Sequence, residues 1–234
     1  MPRSTASNSS FPLNNPAAVV LDMDGVIVDS EYQWRLAADP LFREVAPGWH
    51  EEDNESVVGL NPHDIYNFLT ANYTVTKTCA GFLTLCDALA RDIYTRHVTL
   101  YPGLTAFLAR AKQHELPLAL ASSAPRSWIE LVLERFRLAG DFAAIASGDE
   151  TPGRAKPAPD LYLLAAKRLN LPPGLCLAVE DSSVGVRAAK AAGFLCAAYR
   201  NGHNDTQDLS AADFTFSDFA AFDYLTASSP LNRD

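Results

Sequence analysis

The chain has 234 residues, enough to bury a substantial core as one large domain or as a domain carrying an insertion. Apolar residues make up 48% and charged residues 20%, an ordinary globular composition, and a net charge of −9 argues against a nucleic-acid or anionic-membrane partner. No apolar run approaches the ~20 residues that a membrane helix needs, so no membrane partner is expected either.

The first stretch, Met1 to Asn15, is rich in Ser, Asn and Pro and has no apolar h-region, which predicts a disordered tail over 1–15 and no secretory signal. The run from Ala17 to Leu21 then ends abruptly in Asp22-Met23-Asp24-Gly25. Such a run reads as a buried parallel strand, and in an open α/β sheet ligands sit outside the carboxyl ends of the strands. Alternation in extended chain puts residues i and i+2 on one side, so Asp22 and Asp24 share one small site. Like charges that close raise one pKa, and the cost is relieved by a cation or by using one acid protonated. The plainer alternative is a strand-end Asp followed by an Asp-Gly turn.

Ser30-Glu31-Tyr32-Gln33 has the pattern of a capping box, with Ser30 as N-cap and Gln33 reaching back. From there to His97 apolar residues recur at helical spacing: Trp34, Ala37, Ala38 and Leu41; Ile65, Phe68 and Leu69; Phe82, Leu85, Leu89 and Ile93. The next strand of the first one's character, Leu116 to Ala121, comes far later than the roughly 30 residues of a plain crossover. An inserted helical domain over 31–98, flanking the paired acids as a lid, is the economical explanation, with the core over 16–30 and 99–228.

Beyond Tyr101 strands and helices alternate: a helix from Pro102-Gly103 to about His114, strand Leu116 to Ala121, helix Trp128 to Phe136, strand Ala143 to Ala146 and helix Asp160 to Leu169. Strand Leu175 to Val179, helix Val184 to Ala192, strand Leu195 to Ala198 and a weak strand Phe214 to Phe216 complete the series. Regular alternation predicts an α/β fold, a Rossmann-like parallel-sheet core with helices on both faces, plus the inserted α-helical cap domain. No G-x-G-x-x-G follows a strand, which leaves dinucleotide binding without support.

Polar groups gather at these strand ends. Ser122-Ser123 precedes Ala124-Pro125 and a helix start, where hydroxyls and N–H groups can bind an anion or merely cap the helix. Lys156 sits in a Pro-rich loop, and Glu180-Asp181 ends the fourth strand. Four acids from two strand ends make a hard-oxygen cage suited to Mg²⁺. The four cysteines, Cys79, Cys86, Cys176 and Cys196, form no C-x-x-C pair and lie in apolar segments, as expected of buried reduced thiols in a cytoplasmic protein.

The set Asp22-Met23-Asp24-Gly25-Val26, Leu118 to Ser123, Lys156-Pro157-Ala158-Pro159 and Val179 to Gly185 resembles the haloacid dehalogenase superfamily, specifically its β-phosphoglucomutase-like subgroup with a helical cap. The resemblance runs from about Ala17 to Leu225. It implies a phosphotransferase in which Asp22 is the nucleophile that becomes an aspartyl-phosphate and Asp24 is the general acid and base. It also implies Mg²⁺ held by Asp22, the Asp24 carbonyl and Asp181 with Glu180 nearby, and phosphate oxygens bound by Ser122, Ser123 and Lys156. The presence of Asp24 speaks against a dehalogenase, whose chemistry does not need that acid.

The mutases of the subgroup anchor a second phosphate with basic cap residues, where this sequence has Val58 before Gly59 and then Pro62. The mutase histidine of the first cap helix appears as Trp34, and Asp29-Ser30-Glu31 followed by tryptophan is the pattern of sugar-phosphate phosphatases. A phosphatase acting on a small phosphorylated metabolite, a sugar or sugar-alcohol phosphate, is therefore the first reading. A phosphosugar mutase and a non-catalytic binding protein of the same fold are the alternatives. Glu31, Trp34, Asn61 and His63 are the cap residues that are candidates to face the substrate, and Arg126 is a further one; a cap-core aromatic, a solvated loop histidine and a surface helix arginine are the plainer readings of Trp34, His63 and Arg126. A monomer is expected, since a cap needs room to move.

Overall fold

The computed structural model describes residues 15–57 and 60–223; apart from Asn15, the expected tail lies outside them, as do Val58, Gly59 and the end of the core beyond 223. Six strands, β1 (Ala18–Leu21), β2 (Leu118–Ser122), β3 (Ala144–Ser147), β4 (Cys176–Glu180), β5 (Leu195–Tyr199) and β6 (Phe214–Phe216), form one parallel sheet in the order β3-β2-β1-β4-β5-β6. The chain winds from β1 outward through β2 to β3 and then returns to β4 on the other side of β1. That reversal opens a crevice at the carboxyl ends of β1 and β4, the usual ligand position in such sheets. Leu21 lies opposite Leu120 and Val179, so Asp22 leaves the sheet level with Ala121 and Glu180.

The two faces of the sheet differ because large and small residues alternate along its strands. Val19, Leu21, Leu118, Leu120, Leu177 and Val179 face a core shared with α5 (Leu104–Gln113) and α6 (Arg126–Phe136). Ala119, Ala121, Ala144, Ala146, Ala178 and Ala198 face α7 (Asp160–Leu169) and α8 (Ser183–Ala191). The small side chains let those two helices approach closely, which brings Tyr162 of α7 under the fourth strand.

Between β1 and β2 the described chain is helical: α1 (Ser30–Val45), the short α2 (Asn54–Val57), α3 (Pro62–Asn72), α4 (Cys79–Asp92) and a π-helical turn, Ile93–His97. The two chain crossings into this segment lie side by side, since the Asp29 carboxylate accepts from the Thr99 N–H at 2.5 Å and from its hydroxyl at 3.0 Å. The segment buries Phe42, Trp49, Phe82 and Tyr94 in the same apolar cluster that coats the sheet. None of the described helices is long and apolar enough to cross a membrane.

The start of α1 differs from expectation. Asp29 is the N-cap, with no side-chain cap bond, and the Ser30 hydroxyl donates instead to Asp24 at 2.5 Å. Capping was given up for a bond to the paired acids. Cys79 also differs, being half-buried beside His63, whereas Cys86, Cys176 and Cys196 are buried; all four thiols are free.

Candidate active site

Asp22 leaves β1 only 7% exposed, and Asp24 follows in a loop that turns back at Gly25. Gly25 has φ +75, and a Cβ there would lie 1.9 Å from Asp181 Oδ2, so only glycine lets the loop close over that carboxylate. Gly185 serves Glu180 in the same way, since a Cβ in this first turn of α8 would lie 2.0 Å from the Glu180 carboxyl. Ser182 caps α8 by accepting from the Gly185 N–H at 3.1 Å.

Lys156 is the hub of the buried charges. Its Nζ donates to Asp22 Oδ1 at 2.8 Å and to Glu180 Oε1 at 2.6 Å, with only 2% of its side chain exposed. Burial alone would push its pKa down, but the charges of Asp22 and Glu180 override that and hold it above the usual lysine value. Glu180 also accepts from the Tyr162 hydroxyl at 2.7 Å, from the Asp181 N–H and from the Ser182 N–H and hydroxyl. Five hydrogen bonds occupy its two oxygens, which suits an anchor for the lysine better than an open metal ligand.

Burial raises the Asp22 carboxyl to about 8, with Lys156 opposing and Glu180 and Asp24 adding to the rise. Burial first, then Glu31, Glu180 and Asp22, pushes Asp181 well above the carboxylate range. Oxygens of Asp22, Glu180 and Asp181 lie within 4.8 Å of one another. The open carboxylates of Asp22 and Asp181, with Glu180 beside them holding the lysine, form a hard-oxygen donor set that a divalent cation fits: it would supply positive charge and draw Asp22 and Asp181 back into their ionised forms. Asn201 aims the last of them, donating at 2.9 Å both to Asp181 Oδ2 and to the Gly25 carbonyl, while Asn204 holds the Asp181 carbonyl at 2.7 Å.

The acids open into a cavity of about 160 Å³ roofed by the helical segment. Asp22, Asp24, Ser122, Ser123, Lys156 and Asp181 line its floor. Ser122 accepts from the Ala124 N–H at 3.1 Å, whereas the buried Ser123 hydroxyl has no partner among the described residues. An orphaned hydroxyl ahead of a helix start, in a cavity that Lys156 also lines, suits an anion. Glu31 and Trp34 of α1 line the roof.

Asn61 and His63 do not line the cavity. Asn61 caps α3 by accepting from the Asp64 N–H at 3.0 Å, whereas His63 is an exposed first-turn residue beside Cys79. Arg126 likewise points away, pairing with Glu130 at 3.0 Å. Pro62 does line the roof, as do Arg35, Asn54, Tyr94 and Trp128, none of which the sequence singles out as a site residue. Asn201 and Asn204 were missed too, although their place just after β5, at the same sheet edge, was a readable signal.

Residues 16–193 match the family model of haloacid dehalogenase-like hydrolases. The chain belongs to that family. Over 225 residues it is 32% identical to protein CbbY of Rhodobacter capsulatus, covering 87% of this chain and 94% of the relative. Hexitol phosphatase B of Escherichia coli K12 is 32% identical over 185 residues, 75% of this chain and 79% of the relative. A crystal structure of CbbY from Rhodobacter sphaeroides in complex with phosphate superposes with TM-score 0.75 and 26% identity, covering 88% of this chain and 96% of that one. The fold also matches β-phosphoglucomutase from Clostridium difficile, at TM-score 0.76 and 22% identity over 91% and 96% of the two chains. The chain is thus a hydrolase-family enzyme whose relatives include named phosphatases.

Proposed function

We propose that the protein is a Mg²⁺-dependent phosphatase that releases phosphate from a small sugar or sugar-alcohol phosphate through an aspartyl-phosphate on Asp22. The observation that carries this reading is the meeting of Asp22, Asp24, Lys156 and Asp181 on the floor of one roofed cavity. An Asp22 oxygen bonds to phosphorus as the bond from phosphorus to the leaving oxygen breaks, and Asp24 protonates that oxygen. In the second step Asp24 takes a proton from water as the water oxygen bonds to phosphorus and the acyl-phosphate bond breaks, which regenerates Asp22.

Ser122, Ser123 and Lys156 hold the non-bridging oxygens, with Lys156 placed by Glu180. Mg²⁺ would be held by Asp22, Asp181 and the Asp24 carbonyl with Glu180 nearby, and its charge would offset the repulsion between nucleophile and phosphate. The segment 31–98 acts as a cap domain that shields the transfer from bulk water. Support for a sugar phosphate comes from the named hexitol phosphatase and from a CbbY structure, 24% identical, holding xylulose-(1,5)bisphosphate. Pro62 on the roof, where mutases carry arginine, favours hydrolysis over mutation. The free thiols suit a cytoplasmic site.

The test is Mg²⁺-dependent phosphate release across hexitol, hexose and pentulose phosphates, with glucose 1-phosphate included and glucose 6-phosphate monitored in the same reactions. Release without isomerised product is expected. Isomerisation with little free phosphate would establish the mutase instead.

A further inference from the structure

Asp24 is gripped from a distance. Tyr94, in the π-helical turn at the far end of the helical segment, is 1% exposed, and its hydroxyl donates to Asp24 Oδ1 at 2.7 Å. The Trp34 indole N–H donates to that same phenol oxygen at 3.1 Å. A phenol has one proton and its oxygen is already an acceptor here, so the proton is aimed at Asp24. The Ser30 hydroxyl ends on Oδ1 as well, at 2.5 Å. Two donors on Oδ1 leave Oδ2 as the oxygen to exchange a proton with substrate.

The phenol is itself locked. Trp34 stacks on Trp128 of α6 with centroids 5.3 Å apart, and both rings contact Tyr94 at 6.1 Å. Arg135, also of α6, donates to the Tyr94 carbonyl at 2.8 Å, and Trp128 donates to Asp87 of α4 at 2.7 Å. Tyr94 thus reaches Asp24 with the helical segment seated on α6.

We infer that Tyr94 is a positioning residue, oriented by Trp34, that fixes the Asp24 carboxyl so that Oδ2 delivers its proton to the leaving oxygen. This rests on the phosphatase reading. Tyr94 keeps its own proton throughout: the moving proton goes from Asp24 Oδ2 to the leaving oxygen as that oxygen parts from phosphorus, and returns to Oδ2 from the attacking water.

The discriminating readout is dependence on the leaving group. Sugar and alkyl phosphates need the proton, whereas p-nitrophenyl phosphate releases a stable anion and scarcely does. Tyr94→Phe removes one oxygen and keeps the ring. We expect kcat/KM to fall about 10- to 100-fold on the best sugar phosphate, a fraction of a full general-acid contribution, with a loss at least tenfold smaller on p-nitrophenyl phosphate. Trp34→Phe should show the same selective loss in weaker form, and the double variant should lose no more than Tyr94→Phe; if Tyr94→Phe does not fold, Trp34→Phe carries the test. Equal losses on both substrate classes, or none, would overturn the inference while leaving the phosphatase standing. A wild-type protein that hydrolyses neither class would overturn the phosphatase reading, and this inference with it.

Discussion

Lys156 is the group on which the stability of the site most depends, and replacing it with methionine, close in length and apolar, tests that dependence. The substitution leaves Asp22 and Glu180 in place without the cation now 2.8 and 2.6 Å away, at positions from which water is almost excluded. Breaking a buried ion pair from one side typically costs 3–5 kcal/mol, because the remaining charge is neither solvated nor paired. Here two acids lose one shared partner, but burial already favours the protonated form of Asp22, so one acid can escape by taking up a proton. The expected loss is therefore near the lower end, about 3 kcal/mol, a large fraction of the 5–15 kcal/mol typical of a domain. Urea unfolding of Lys156→Met and wild type in EDTA measures it. Adding Glu180→Gln to the variant should recover part of the loss, and Mg²⁺ should stabilise Lys156→Met more than wild type, since the ion would neutralise the same acids. A loss below ~1 kcal/mol would refute the reasoning and mean that these acids do not rely on Lys156.

Gly25→Ala combines a left-handed backbone, worth about 1–2 kcal/mol against any residue with a Cβ, with a clash onto Asp181 Oδ2. Calorimetric titration with Mg²⁺ should show affinity reduced at least ~10-fold, the equivalent of about 1.4 kcal/mol. Far from the site, hydrogen bonding to Arg168 lowers Glu150 to about 2. A depressed carboxyl contributes stability that is present above its unfolded pKa and is lost as pH falls toward the folded value. Both side chains are about a third exposed, so screening leaves roughly 1 kcal/mol. The stability gap between wild type and Glu150→Gln, measured by urea unfolding, should hold above pH 5 and close as pH approaches 2.

What could be read in advance follows from how local the signal is. Strand β1 and its neighbours are buried on both faces, so their apolar runs stand out, and helix α7 was readable from Asp160 to Leu169 by spacing alone. That Asp22, Asp24, Lys156 and Asp181 meet in one cavity was legible because parallel strands and the loops that follow them end at a common edge. Ser30 was misread as a cap because its true partner, Asp24, lies across a turn that the spacing does not reveal. Asn61 is the reverse case: a polar residue read as a candidate to face substrate has its side chain engaged in capping α3. Tyr94 was illegible because it sits 70 residues from Asp24 and spacing describes a helix's faces without saying what meets them.

The central claim is that Asp22 itself carries the phosphoryl group. Its most direct test is to mix an Asp24→Asn variant, which can accept the group but lacks the base that releases it, with p-nitrophenyl phosphate and Mg²⁺. The account predicts a burst of p-nitrophenol close to one equivalent of enzyme, and a hydroxylamine-labile phosphate that peptide mapping places on Asp22. An Asp22→Asn protein that still turns over substrate, or a phosphate found on another residue, would contradict it.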